Sequence, residues 1–295
     1  MGFTYTLRNA YGDELVLDDP YIVQGVDGMG LPEPEFFTSH GPYQNGETVE
    51  NQRWKARILT IGIDLAGVDD TTYQAARLAL ATILRAIHEP LYFVLTLADG
   101  SERYLDVRYA GQLSMPTKSS GGVYRTATAV QLIAHQPMWY NPAGVVWSFA
   151  LGSGEGVWGF PLPFPEGFGA STLDVTVTRQ YLGTEPVDPR VIIYGPCEDF
   201  VLENLTTDEI LDLTDVTIAG GEIVTVDLRY GYKSVTSVGG TTDLADFLAN
   251  DSDFTWHIAP HPEAPDGQNT LRMAMINGDT NTKAEIRFNA RYSAF

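Results

Sequence analysis

His257 and His261 bracket Ile258-Ala259-Pro260, the spacing that would set two imidazoles on one helix face to hold a metal ion. Pro260 and Pro262 forbid the helix such a pair needs, so no metal centre is predicted there. Gly154-Glu155-Gly156-Val157-Trp158-Gly159 spells the G-x-G-x-x-G of a dinucleotide fingerprint. That chemistry requires a helix to follow, with its N-terminus aimed at the pyrophosphate. Pro161, Pro163 and Pro165 follow instead. No Gly-x-Ser-x-Gly elbow is present, and the other histidines, His40, His88 and His135, are scattered. Asp251-Ser252-Asp253 offers oxygen ligands for Ca²⁺ but reads better as an acidic turn. Carboxylates are numerous enough for a glycosidase pair, yet number alone does not set two of them at a working separation. The expectation is therefore no enzyme, no catalytic residue, no cofactor and no metal.

Aromatic side chains are a better lead. Trp158, Phe160, Phe164 and Phe168 lie in a Gly/Pro-rich stretch without regular periodicity. Aromatics on irregular backbone serve protein interfaces or stack on sugars. They can equally plug the seam between two modules. These four residues are the candidate interaction surface.

Charge narrows the partners. The chain of 295 residues carries 18 Lys+Arg against 38 Asp+Glu, a net charge of -20. Residues 1–142 hold 10 Lys+Arg against 16 Asp+Glu, and residues 143–295 hold 8 against 22. Specific nucleic-acid binding needs basic patches for phosphate, and adhesion to anionic membranes needs the same. Neither is expected. No apolar run approaches the roughly 20 residues that cross a bilayer. No stable membrane insertion is expected, and the protein should be soluble when made. Met1-Gly2 with Thr6 fits a loose N-myristoylation pattern, but Phe3, Tyr5 and Leu7 alternate as the face of a first strand. The single cysteine, Cys197, allows no internal disulfide, so packing must hold the fold.

The elements fall into two modules, residues 1–145 and 146–295. In the first, residues 3–8 and 13–17 form a hairpin, and Gly/Pro-rich residues 24–46 form a long loop or arm. Residues 53–65 read as one strand whose start, Lys55 and Arg57, is exposed. Asp69-Asp70-Thr71-Thr72 caps a helix, and Ala76, Leu80, Ile83, Leu84 and Ile87 form its apolar stripe. Glu89-Pro90 ends it. Residues 91–97 and 102–109 form a hairpin around Asp99-Gly100. Residues 123–135 add a strand, and Gln136-Pro137-Met138-Trp139-Tyr140-Asn141-Pro142 closes the module. One helix on a set of strands predicts an α+β arrangement.

Residues 143–190 read as an extended connector, because Phe160-Pro161-Leu162-Pro163-Phe164-Pro165 suits neither a helix nor a central strand. Short, evenly spaced strands follow at 191–194, 200–204, 210–213, 222–228, 254–258, 269–275 and 283–292, with a short helix at 243–248. This spacing predicts a jelly-roll or galectin-like β-sandwich.

Several of these segments resemble, in order, the siphovirus distal tail protein family. The first hairpin, arm, strand and single helix are similar to the family's ring-forming domain, and Gln136-Pro137-Met138-Trp139-Tyr140 to its end. Tyr181-x-Gly183-Thr184-x-Pro186, with Val191-x-Ile193-x-Gly195-Pro196, resembles the start of the second domain. Asn204-x-Thr206-Thr207, Gly221-Glu222 with Asp227, and Gly267-x-Asn269-x-Leu271 recur in order in such C-terminal sandwiches. The resemblance implies a mainly β chain, an N-terminal split barrel or sandwich with one helix followed by a galectin-like β-sandwich. It further implies a hexameric ring at the virion tail tip, with DNA passing through its lumen. Its partners would be the tail tube protein, a tail hub or tail-associated protein and receptor-binding proteins. The rival reading is a carbohydrate-binding β-sandwich with weak glycan contact through the aromatics; a hydrolase accessory domain is a third, without a site to support it.

Overall fold

The computed structural model describes residues 3–67, 69–85, 91–111, 113–115, 119–120, 123–150, 171–239 and 252–294. The chain divides into two compact units, Met1–Pro142 with Tyr292–Phe295, and Ala143–Arg291.

The first unit contains β1 (Thr4–Asn9), β2 (Glu14–Val16), β3 (Tyr21–Asp27), β4 (Pro34–Ser39), β5 (Thr48–Trp54), β6 (Arg57–Gly67) and α1 (Asp70–Leu84). It continues with β7 (Leu91–Thr96), β8 (Glu102–Gly111), β9 (Ser119–Ser120), β10 (Val123–Ala134) and β11 (Trp139–Tyr140). The main sheet runs β2-β1-β7-β8-β10-β6-β3. Period-two alternation sets its core face: Leu59, Ile61, Ile63 and Leu65 of β6 are all buried. Helix α1 lays Tyr73, Ala76, Leu80, Ile83 and Leu84 against that face. Each large apolar side chain removed from water in this way contributes about 1.5–3 kcal/mol. Asp69 starts the helix by accepting the Thr72 N–H at 2.7 Å. The Tyr21 hydroxyl donates to the Ala76 carbonyl at 2.8 Å, pinning β3 to the helix. Ile87, Glu89 and Pro90 lie outside the described residues.

Two expectations for this unit need correction. Residues 24–46 are not simply a loop, because β3 runs into them and β4 lies within them. Nor is 53–65 one strand: β5 ends at Trp54, β6 begins at Arg57, and Arg57 is buried, only 3% exposed. Lysine or arginine at a strand start usually faces water, but this guanidinium finds carbonyl partners inside.

The second unit contains β12 (Val145–Ala150), β13 (Ser171–Gln180), β14 (Arg190–Tyr194), β15 (Cys197–Asn204), β16 (Glu209–Ile218) and β17 (Ile223–Asp227). It is completed by β18 (Ser234–Val238), β19 (Gln268–Gly278) and β20 (Lys283–Phe288). A final short strand, β21 (Arg291–Tyr292), pairs with β11. One sheet runs β12-β20-β14-β17-β18 and the other β13-β19-β15-β16, every pairing antiparallel. Val191, Ile193, Val224, Val226, Ala284 and Ile286 fill the inner face of the first sheet. Phe200, Leu202, Leu211, Leu271 and Met273 fill that of the second. The chain is thus mainly β, with an N-terminal α+β unit and a C-terminal β-sandwich, as the sequence predicts.

Here too the elements differ from expectation. Residues 143–190 are not all connector, since β12 and β13 are sheet strands with regular register. Residues 254–258 form no strand. Trp256 and Ile258 are fully buried from a loop, with one bridge between Val187 and Ile258. β18 was not anticipated, and 283–292 breaks between β20 and β21. The helix expected at 243–248 lies outside the described residues.

Candidate assembly surfaces

Among the described residues β4 and β5 pair only with each other. All seven residues of β5 and five of six in β4 are exposed, so both faces of this hairpin meet solvent. Two strands alone are marginal in water. Yet this hairpin displays Phe36, Phe37, Val49 and Trp54, with Phe36 53% and Val49 56% exposed. Phe36 and Phe37 are successive residues and stand on opposite faces, so exposed apolar groups occur on both sides of the hairpin. Polar contacts steady it. Arg53 pairs with Glu35 and lies over the Phe37 ring, 5.1 Å from its centroid. Lys55 pairs with Glu33 at 2.8 Å, and Gln44 Nε2 donates to Thr48 Oγ1 at 2.7 Å near the tip. Exposed ion pairs contribute about 0–1 kcal/mol each, so they bias the hairpin rather than hold it.

The base of the arm is anchored by Arg57. Its Nε donates to the Pro137 carbonyl at 2.8 Å and one terminal nitrogen to the Gly28 carbonyl at 2.9 Å. The same nitrogen donates to the Gly30 carbonyl, and the other to the Ser293 carbonyl at 2.8 Å. The Trp139 ring lies 5.7 Å from the guanidinium carbon. Burial pushes the Arg57 pKa down to about 10, which leaves it charged at neutral pH. Gly28 completes the anchor. Its φ is +88°, and a Cβ there would meet the Ile58 carbonyl oxygen at 2.0 Å. Arg57 shares the parity of Leu59, Ile61, Ile63 and Leu65, and only its residue type argued for exposure.

In the second unit the turn motifs acquire roles. The Tyr181 hydroxyl donates to the Glu185 carbonyl at 2.7 Å and accepts the Arg291 N–H at 3.0 Å. Its ring folds over Gly183, where a Cβ would lie 2.1 Å from the hydroxyl oxygen, so that spacing needs glycine. Asn204 and Asn269 are fully buried. Asn269 accepts the Ala259 N–H and donates to the Ala259 carbonyl, both at 2.9 Å, while Asn204 donates to the His257 carbonyl at 2.9 Å. These amides staple the loop that carries Trp256 into the core. Buried amides must be paired, so both asparagines are structural.

The residues considered for chemistry separate. His257 sits between two glutamates, Nδ1 3.2 Å from Glu209 Oε1 and Nε2 3.2 Å from Glu263 Oε1. Burial pulls its pKa down, but Glu209 and Glu263 outweigh that and the net shift is upward. His261 is exposed beyond Pro260. Asp253 accepts the Ile210 N–H at 3.1 Å, and Ser252 Oγ accepts the Asp212 N–H at 2.9 Å, so these two residues clip a loop to β16. Cys197 is buried and its thiol pushed up to about 12 by burial, with Glu198 and Glu222 adding to the shift. A shallow cavity of about 390 Å³ is lined by Tyr194, Pro196, Glu222, Asp279 and Asn281, among others. The Lys283 ammonium lies 4.4 Å over the Tyr194 ring and covers it against a stacking ligand. Trp158, Phe160, Phe164, Phe168 and the 154–159 glycine motif lie outside the described residues.

No family model matches the chain, and no curated protein matches it. Solved structures do. The crystal structure of the Dit protein of phage SPP1, a paradigm of the hub of the adsorption apparatus in phages infecting Gram-positive bacteria, superposes with a TM-score of 0.59. That match has 14% identity and covers 97% of this chain and 98% of that one. A chain of the phage p2 baseplate in its activated conformation with Sr gives a TM-score of 0.49 at 11% identity, covering 98% and 99%. The chain has the fold of the SPP1 Dit hub protein, and its resemblance to siphovirus distal tail proteins holds at the level of the fold.

Proposed function

We propose that this protein is a structural virion component: a hexameric hub at the tail tip that joins the distal end of a siphovirus tail tube to the baseplate and host-attachment proteins, with DNA passing through its lumen. The observation that carries this reading is the fold likeness to the SPP1 hub over 97% of this chain. The first unit forms the ring, and its exposed β4–β5 arm reaches a neighbouring copy and buries Phe36, Phe37 and Val49 there. Heterologous contacts of this kind close into rings when the rotation between copies closes. The second unit docks the tail hub or tail-associated protein and the receptor-binding proteins. Trp158, Phe160, Phe164 and Phe168 are candidate contacts for that docking, and no catalytic step is assigned.

The test combines assembly with ligand binding on the full-length protein. Light scattering should give a hexamer, and Phe36→Ser with Phe37→Ser should return a monomer that keeps the parent's circular-dichroism spectrum. A glycan array should stay blank. Monomers that bind a defined glycan would favour the carbohydrate-binding reading instead.

A further inference from the structure

The second unit is acidic, yet its cations are gathered. Burial of Val191, Ile193, Ala284 and Ile286 sets the parity of β14 and β20, so Arg190, Lys283 and Arg287 stand on the outward face of the five-stranded sheet. In the other sheet, burial of Leu202, Leu211, Leu271 and Met273 turns Glu203, Asp212 and Arg272 outward. Asp174 joins them, bonded to Arg272 at 3.0 Å. The same register turns Glu285 and Asp227 outward on the first face, where Arg190, Arg229, Lys283 and Arg287 still outnumber them, so the two outward faces of the sandwich differ in sign.

Neither face neutralises itself. Arg190 lies directly opposite Arg287 in register, and like charges so placed repel. Among the described residues Arg190 makes no ion pair. Its neighbour on the other side, Asp227, is already held by Arg229 at 2.7 Å. Glu285 is shared by Lys283, at 2.8 Å, and Arg287. On the acidic face Asp174 and Glu203 share one cation, Arg272, at 3.0 and 3.2 Å. Asp212 spends one oxygen on the Thr214 N–H and meets no cation among the described residues. Side-chain exposure is 40% for Lys283, 42% for Arg287 and 51% for Asp174, and falls to 24% for Glu203.

We propose that these two faces meet between neighbouring copies of this chain, the Arg190–Lys283–Arg287 face of one second unit docking on the Asp174–Glu203–Asp212 face of the next. A second copy is the occupant because both halves of the charge complement stand on the same unit. Complementary potentials steer and register such a contact. The contact is heterologous, front to back, so it can repeat from copy to copy, and it closes into a ring where the rotation between copies closes. It rests on the ring reading above and adds to it a second contact, independent of the arm.

The experiment mixes full-length protein grown in ¹⁴N and in ¹⁵N medium, assembles it at low salt and joins touching amines and carboxylates with a carbodiimide. Mass spectrometry of the digest then separates crosslinks within a copy from those between copies. Mixed-isotope crosslinks from Lys283 to Asp174, Glu203 or Asp212 are expected. They should fall several-fold in 0.5 M salt, since exposed charges are screened within about 3 Å at 1 M and 10 Å at 0.1 M. Arg190→Glu should also reduce them several-fold, and mixing Arg190→Glu with Asp212→Arg protein should restore them. Arg190→Gln, which keeps a neutral polar side chain, gives an intermediate loss should the reversed charge unfold the unit. Rings without mixed Lys283 crosslinks overturn this inference and leave the ring reading standing. Mixed crosslinks without rings keep the contact and overturn the ring. Loss of neither on Arg190→Glu overturns the role of the basic face.

Discussion

Replacing Arg57 with leucine separates two descriptions of the same residue by a wide margin. As the exposed start of a strand, Arg57 would tolerate the change within about 0.5 kcal/mol. In the structure it is 3% exposed and satisfies the carbonyls of Pro137, Gly28, Gly30 and Ser293. Hydrogen bonds to a charged group contribute about 1.5–3 kcal/mol each, but four on one side chain do not add, and removing the cation also removes its desolvation cost. Leaving these buried carbonyls without a donor costs about 1–3 kcal/mol apiece, not additively, which puts the net loss at about 3–5 kcal/mol. For a unit of this size each kcal/mol moves the melting temperature by about 2–4 °C, so Arg57→Leu should lower it by roughly 6–20 °C. Calorimetry on the full-length protein reads this, because the loss belongs to the first unit and the second should melt as before. Arg57→Lys keeps the charge but not the planar fork, and should fall between the two. A leucine variant melting within about 1 °C of the parent would show that the carbonyl cage does not hold the base of the arm.

Leu80→Ala should cost about 2–5 kcal/mol by chemical denaturation, as expected for a fully buried helix residue, and an unchanged midpoint would place the stripe outside the core. Gly183→Ala should destabilise the second unit by about 1–3 kcal/mol, because the new methyl would overlap the Tyr181 hydroxyl; a neutral effect would mean that the Tyr181 ring is free to move. The raised pKa of His257 gives a pH dependence with a definite sign. The stabilisation is complete below the unfolded value near 6.5 and is lost as pH rises through the folded value. The parent's melting temperature should therefore fall as pH rises above about 6.5, and His257→Gln should remove that component; identical pH profiles would contradict the clasp with Glu209 and Glu263.

The parts legible in sequence were those where a single period dominates. β6 alternates Leu59, Ile61, Ile63 and Leu65, α1 repeats every three to four residues, and Asp99-Gly100 turns the β7–β8 hairpin with Gly100 at φ +81°. The arm was legible, but its two strands were not, because they bury no face. β5, Thr-Val-Glu-Asn-Gln-Arg-Trp, has no apolar alternation for a pattern to find. Residues 254–258 misled for the opposite reason: Trp256 and Ile258 are apolar enough for a strand but enter the core from a loop held by Asn204 and Asn269. Arg57 misled because residue type predicts exposure only when no partners wait inside. The motifs Tyr181-x-Gly183, Asn204 and Asn269 could be read in order, but their work of ring packing and loop stapling needs coordinates. The charge asymmetry between the two sheets of the second unit was hidden in a net balance of 8 Lys+Arg against 22 Asp+Glu over residues 143–295, because a sum over sequence discards the face on which each charge stands.

The central claim, a ring-forming tail hub, is tested most directly by negative-stain electron microscopy of the purified full-length protein, alone and with tail tube protein. The account predicts class averages with six-fold symmetry and an open lumen wide enough for duplex DNA. Particles that remain single, two-unit monomers at high concentration under both conditions would contradict it.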